Sequence, residues 1–401
     1  MKQGMVTNLP FANNYAGEML RLEHGRGVTL QDAAGNRYLD LGAGIAVNAL
    51  GYGRRDLARI ASWQMRKLIH VSNLYATGPG IDLANLLIDV TRDRVGTYAA
   101  VQFGNSGAEA NEAAIKYARL YAHRTRGAGH HKILSFSSGF HGRTMGALSA
   151  TPNKKYGEPF EPLVPGMESS AYNDTAAVER ILDNSFAGVI VEVIQGEGGL
   201  TRMSKEFAAA LNSACSRHDV LLIADEVQTG LGRTGALFGS EQVGLKPDIM
   251  TFSKPLAGGL PLSATMIPGR VNEQLHPGDH GTTFGGGPVT AAVAAHVVRT
   301  IANPAFLQRV AERGEQLTRL LEALVDSKSE VVERRGIGML QGLAIEADDP
   351  PARVAAVMNQ CREAGVLLLR SSSNVIRLAP PLVIGERELE RGVAILADQL
   401  N

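Results

Sequence analysis

The chain has 401 residues, enough for a large core shared between two or three lobes. Its 40 basic and 40 acidic residues cancel, which removes the attraction that a nucleic-acid or anionic-membrane partner would need. Two distant cysteines, Cys215 and Cys361, offer no disulfide framework; no apolar run approaches the ~18 residues of a membrane span, and MKQGMVTNLPFANN lacks a secretory or transit pattern, so a cytoplasmic protein is expected.

In chain order, residues 16–41 read as a hairpin, because LEHGRGVTLQDAAGNRYLDL carries a glycine–asparagine turn between alternating stretches. The apolar runs 99–103, Lys132–Phe136, 187–193, 220–224, Ile249–Phe252 and Ser263–Ile267 then read as strands. After the first of them, Ala110, Ala113, Ala114, Tyr117 and Ala118 recur at helical spacing, which predicts a helix over 109–121. Strand–helix alternation implies an α/β fold, with a mostly parallel sheet covered on both faces. Such sheets bind ligands beyond the carboxyl ends of their strands. Residues 289–401 open with an alanine-rich helix over 289–301 and then mix charged helices with short strands such as Val375–Leu378. The expected division is a large domain over 51–288 and a smaller α+β lobe made from both chain ends, 1–50 and 289–401.

The residues that follow each strand carry the chemistry. Gly104-Asn105-Ser106-Gly107-Ala108 is a glycine turn feeding a helix, whose free N–H groups and dipole suit a phosphate; Ser106 either adds a hydroxyl there or simply caps the helix. SSGFHGRT brings Phe140, His141 and Arg143 to the next mouth, where a phenylalanine could stack on a flat ring and an arginine could clamp a carboxylate. The bland alternatives are a core phenylalanine and a surface arginine. Glu192 and Glu197 follow, either as acid–base or arginine-pairing carboxylates or as solvated loop acids. Asp225, directly after VLLIA, should be partly buried and so needs a cationic partner. Lys254 is framed by Ser253, Pro255, Gly258, Gly259 and Pro261. Pro255 biases it toward an extended backbone, so it projects from a strand end as a candidate Schiff-base nucleophile, against the common case of a solvated lysine.

Two patterns point elsewhere and are set aside. GLGRTG at 230–235 matches GxGxxG, but ALFGSEQVGLKPD follows it in place of the helix a dinucleotide site requires. His123, His130 and His131 have no HExxH or cysteine companions, so no metal is expected.

A phosphate turn, a stacking aromatic, a buried aspartate and a strand-end lysine, in that order, resemble the site of fold-type I, class III (ω-amino) pyridoxal phosphate-dependent aminotransferases. The matching stretches include LDLGAGIAVNALG, FGNSGAEANEAAIKYAR, SFSSGFHGRTMGALSAT, IADEVQTGLGRTG, PDIMTFSK and HGTTFGG, spread over about residues 38–287. Within that group the chain is most similar to acetylornithine aminotransferases. The resemblance implies pyridoxal 5′-phosphate as cofactor, Lys254 as the Schiff-base lysine and Asp225 as the partner of the pyridine nitrogen. It implies Gln228 on the ring hydroxyl, Phe140 stacked on the ring, and Ser106, Gly107 and Ala108 on the phosphate. Thr283 should reach the phosphate held by a second subunit, so a homodimer is expected. Arg143 with Tyr15 should take the substrate carboxylate distant from the reacting amine. Arg377 should take the α-carboxylate of glutamate, with Glu197 masking it in the other half-reaction. The implied reaction moves the δ-amino group of N-acetylornithine to 2-oxoglutarate.

The chain departs from the family pattern in several loops. Glu192-Val193-Ile194-Gln195 stands for EPxQ, Gly286-Gly287-Pro288 for GGNP, and Gly51-Tyr52-Gly53-Arg54-Arg55 for GHxHP. N-acetyl-lysine, succinylornithine, ornithine and 4-aminobutyrate are therefore rival donors. A nicotinamide-dependent dehydrogenase and a non-catalytic pyridoxal phosphate-binding regulator are the rivals of a different class.

Overall fold

The computed structural model describes residues 5–7, 9–15 and 18–401; residues 16 and 17 of the expected hairpin lie outside these. From Leu22 onward the segment is a three-stranded antiparallel meander, not a single hairpin: Leu22–Arg26, Thr29–Asp32 and Arg37–Asp40 pair in sequence. The Asp32 carboxylate closes the second turn. It accepts the N–H groups of Ala34 and Asn36 and the Tyr38 hydroxyl, while Gly35 supplies the positive φ of 90°.

The centre is a seven-stranded sheet in the order Ala100–Gly104, Ser263–Ile267, Ile249–Phe252, Leu221–Asp225, Phe186–Val191, Lys132–Phe136, Met167–Ser170. From Ile249–Phe252 to the Met167–Ser170 edge all neighbours run parallel, and only Ser263–Ile267 opposes both its partners. Phe186–Val191 and Leu221–Asp225 are buried at every position, as continuous apolar runs must be when both faces are covered. The run expected over 187–193 breaks at Val191, and Ile194–Gln195 turns away to pair with Thr201–Arg202. The edge strand MESS carries no apolar signature and escapes sequence reading.

Helix Gly107–Arg126 overruns the predicted 109–121 at both ends. Its alanines 113, 114 and 118 pack against Ile133, Ile190 and Ile223, and their small side chains let the helix lie close to the sheet. The helix predicted at 289–301 runs from Pro288 to Ile301 and packs on helices Arg55–Lys67 and Gly78–Thr91.

The two chain ends meet. Arg37–Asp40 pairs in parallel with Val366–Leu367. Next to it, Val331–Ile337, Leu340–Ile345, Val375–Leu378 and Leu369–Ser371 form an antiparallel sheet. The consequence for the site is positional: Arg377, on Val375–Leu378, is carried to the turn that holds Gly196 and Glu197.

Candidate active site

Asp225 is the last residue of its strand, one beyond the expected end, and is buried. Its Oδ2 accepts from Asn111 Nδ2 at 2.7 Å and faces His141 Nδ1 at 2.9 Å, and its Oδ1 accepts the Val227 N–H at 3.1 Å. Asn111 also donates to the His141 carbonyl and accepts from the Thr251 hydroxyl, linking helix Gly107–Arg126 to two strand ends. Burial acts to lower the His141 pKa, but the hydrogen bond to Asp225, together with the charges of Asp225 and Glu192, carries it upward on balance. His141 is thereby kept as a donor toward Asp225. Asn111 and Thr251 are functional positions that sequence reasoning missed. A lone asparagine at a buried place on an alanine-rich helix was the signal for the first.

Lys254 lies two residues past the end of Ile249–Phe252, as expected, and is partly exposed. Burial, followed by the charge of Arg377, pushes its pKa down, with Glu197, Asp225 and Glu192 acting in opposition. A lowered pKa raises the share of free amine, which is the form that attacks a carbonyl and accepts a proton.

At the glycine turn, Ser106 is the N-cap of Gly107–Arg126, and its hydroxyl accepts the Glu109 N–H at 3.2 Å. The capping role is therefore real. The N–H groups of Gly107 and Ala108 have no acceptor among the described residues. At Gly107 a Cβ would stand 2.6 Å from Val227 Cγ1, so the close approach requires glycine.

The turn bearing Phe140, His141 and Arg143 is shaped by Gly142, whose φ of 139° and contact with Ala108 exclude a side chain. Glu192 is not a solvated loop acid. It is buried, and its two carboxylate oxygens accept the N–H groups of Phe140 at 2.9 Å and Gly196 at 3.3 Å. Burial pushes its pKa up to about 7. It thus ties the Phe140 turn to the Glu197 turn. Arg143 is exposed, with its guanidinium 3.7 Å from the ring centre of Tyr156.

Arg377 is 3 % exposed and donates through Nη1 to Glu197 Oε1 at 2.7 Å and the Gly196 carbonyl at 2.8 Å, with Gln228 Oε1 farther off at 3.4 Å. Its Nε is buried without a hydrogen-bond partner among the described residues. Gln228 is packed so closely on Gly196 that a Cβ there would overlap its amide. Phe140, Tyr156, Glu197 and Arg377 line a cleft of about 770 Å³ together with Lys155 and Arg370.

Two candidates stand apart from this cluster. Tyr15 is 75 % exposed and makes no hydrogen bond among the described residues. Thr283 is exposed on a loop that the Asn73 amide holds through the carbonyls of Thr282 and Gly285. No helix directly follows GLGRTG (a five-residue one, Gly239–Val243, comes later), and its Arg233 is buried as a brace donating to the carbonyls of Met339 and Pro380. Among the described residues no cluster of His, Cys, Asp and Glu could hold a metal, and no helix is long and apolar enough to cross a membrane.

Comparison with known proteins adds independent findings. The family model described as aminotransferase class-III matches residues 11–400. An acetylornithine aminotransferase of Haemophilus ducreyi is 42 % identical over 391 residues, covering 97 % of this chain and 96 % of its own length. A mitochondrial acetylornithine aminotransferase of Alnus glutinosa is 43 % identical over 388 residues, covering 95 % and 84 %. Among solved structures, the ornithine aminotransferase of Toxoplasma gondii superposes with a TM-score of 0.91 at 30 % identity, covering 97 % of this chain and 91 % of that one. An amine transaminase from an uncultivated Pseudomonas species, in its PLP-bound form, also gives 0.91 at 28 % identity, covering 98 % and 97 %.

Proposed function

The chain belongs to the class III aminotransferases, which use pyridoxal 5′-phosphate, and on that premise we propose that it transfers the δ-amino group of N-acetylornithine to 2-oxoglutarate, giving N-acetylglutamate semialdehyde and glutamate, a step of arginine biosynthesis. The residues present fit the cofactor. A glycine cradle with two free N–H groups suits its phosphate, and a buried carboxylate suits its ring nitrogen. Ser106, Gly107, Ala108, Phe140, Asp225, Gln228 and Lys254 are the groups that would hold it, with Thr283 supplied by a second copy. When bound, the cofactor supplies an electron sink for the pair left behind as the substrate carbon loses its proton.

The protein's own groups do the rest. Asp225, fixed by Asn111 and His141, presents a carboxylate whose orientation cannot drift. Lys254, its pKa lowered by burial, is placed to hold the cofactor covalently at rest and to carry the proton during each half-reaction. Arg143 takes the carboxylate distant from the reacting amine, with Tyr15 as its proposed helper.

The observation that carries the substrate reading is the contrast between two arginines. Arg143 is free and exposed, while Arg377 is buried and neutralised by Glu197. N-acetylornithine reacts through its distal amine, so its only carboxylate lies far from the reaction and needs one cation. Glutamate reacts through its α-amine and needs a second cation near the reacting carbon. A masked Arg377 serves the second substrate without attracting the first in the wrong orientation.

A homodimer completes the proposal. Ile69, Leu74, Tyr75 and Phe284 are exposed apolar side chains at the Thr283 loop and the segment that touches it, where the rings of His70 and Phe284 stand 5.3 Å apart and Asn73 donates to the loop. A surface of that kind, beside a loop proposed to serve a second active site, supports burial against another copy. The proposed large domain spans 51–288, with 1–50 and 289–401 as the smaller lobe. Two unpaired buried cysteines support a cytoplasmic, reducing location. Single-turnover spectra of the yellow holoenzyme against N-acetylornithine, N-acetyl-lysine, succinylornithine, ornithine and 4-aminobutyrate test the substrate. N-acetylornithine should react with the highest kcat/KM, and a clear preference for another donor would overturn the assignment.

A further inference from the structure

Among the described residues no acceptor aims Arg143. No described residue takes a hydrogen bond from its guanidinium, which instead lies 3.7 Å from the ring centre of Tyr156 and 5.5 Å from that of Phe140. The two rings meet edge to face at 6.4 Å. Tyr156 is set on the one-turn helix Lys154–Gly157, which Asn153 closes by accepting the Lys155 N–H at 3.1 Å. Tyr156 and Phe140 both line the cleft.

An exposed arginine on a flexible stem normally loses much rotamer freedom when it is fixed by a ligand. Stacking on an aromatic face removes part of that cost in advance. It also uses the face of the guanidinium and leaves the in-plane N–H donors open, which is the edge a carboxylate engages with two parallel bonds. We propose that Tyr156 is the positioning residue for carboxylate recognition: its ring holds Arg143 flat and preorganised, with the donor edge turned to the substrate. This rests on the reading of Arg143 as the clamp for the distant carboxylate. Glutamate also carries a carboxylate distant from its reacting amine, so both half-reactions depend on the stack.

The test uses the holoenzyme in single-turnover half-reactions with N-acetylornithine, with glutamate, and with N-acetyl-1,4-diaminobutane, which keeps the reacting amine and lacks the carboxylate. Tyr156→Leu should raise the apparent Kd for N-acetylornithine and glutamate roughly three- to thirtyfold, with limiting rates little changed. Tyr156→Phe, which keeps the face, should restore both. The carboxylate-free amine should react alike in all three proteins. Should Tyr156→Leu fail to fold, Tyr156→Gln, of similar reach and without a ring, replaces it. An equal loss toward the carboxylate-free amine would reveal a merely structural role and overturn the proposal. Arg143→Gln separates the two layers. If it weakens N-acetylornithine while the ring-less Tyr156 variant does not, the positioning role is wrong and the clamp stands; if Arg143→Gln changes nothing, both fall.

Discussion

Replacing Glu197 by alanine should change which substrate the enzyme prefers. The Glu197–Arg377 bond is charge-assisted, at 2.7 Å, a kind of contact that contributes about 1.5–3 kcal/mol. Glu197 is 32 % exposed, so solvent screening reduces this to about 1–2 kcal/mol, while Arg377 is 3 % exposed and keeps its full need for a counter-charge. On the proposed role of Arg377, glutamate must break that bond before its α-carboxylate can pair there. Without Glu197, its half-reaction should gain roughly five- to thirtyfold in kcat/KM. The N-acetylornithine half-reaction should lose, because an unpaired buried guanidinium then faces the substrate's apolar stem with only the Gly196 carbonyl and Gln228 for company. The ratio of the two rates, read by stopped-flow absorbance on the holoenzyme, therefore moves in one direction. Glu197→Gln, which keeps the volume and drops the charge, should shift it the same way. Arg377→Gln should shift it the opposite way, crippling glutamate far more than the donor. An equal change in both half-reactions after Glu197→Ala would refute the gating argument.

Three further outcomes follow from the site. Lys254→Ala should lack the internal-aldimine band in the resting spectrum and lose nearly all turnover, and borohydride reduction of the wild type followed by peptide mapping should place the pyridoxyl mass on Lys254 and on no other lysine. Asp225→Asn is nearly isosteric but brings an amide where His141 and Asn111 already donate, so proton abstraction should slow by ~100-fold or more with cofactor still bound; an unchanged single-turnover rate would contradict its role. Thr283→Ala should release cofactor faster on dialysis, and mixing it with Lys254→Ala should generate hybrid dimers with one intact site in two; verified subunit exchange without recovered activity would mean that each site is self-contained.

The parts of this molecule that sequence made legible share one property: their chemistry is decided by what lies next to them in the chain. Lys254 is readable because Pro255 and the following glycines fix the strand end, and the observed strand stops at Phe252 as the apolar run does. At Gly107 a glycine turn before an alanine-rich helix is readable as a helix start, and the helix does begin there with Ser106 as its N-cap. Glu192 admits two readings from sequence because its burial depends on Phe140 and Gly196, which lie 52 residues before it and 4 after it. The Met167–Ser170 strand was invisible because an edge strand needs only one covered neighbour and no apolar run.

What sequence could not reveal is the set of contacts that give those local groups their strength. Asp225 alone would be a buried carboxylate with an unspecified partner. It becomes a fixed one through Asn111 from 114 residues upstream and His141 from 84 upstream. Arg377 would be a core strand arginine with nothing to explain its burial, and it gains a counter-ion only because the C-terminal sheet is carried against the turn at Gly196 and Glu197. Arg143 would be read as an exposed surface cation, and only the fold brings the Tyr156 ring to 3.7 Å from its guanidinium. In each case the residue that restrains the group arrives from a distant element whose own sequence has no reason to advertise the task. That division explains why the lysine and the aspartate can be named from the chain alone. It also explains why discrimination between two substrates, which depends on how tightly the two arginines are held, is a property of the folded contacts.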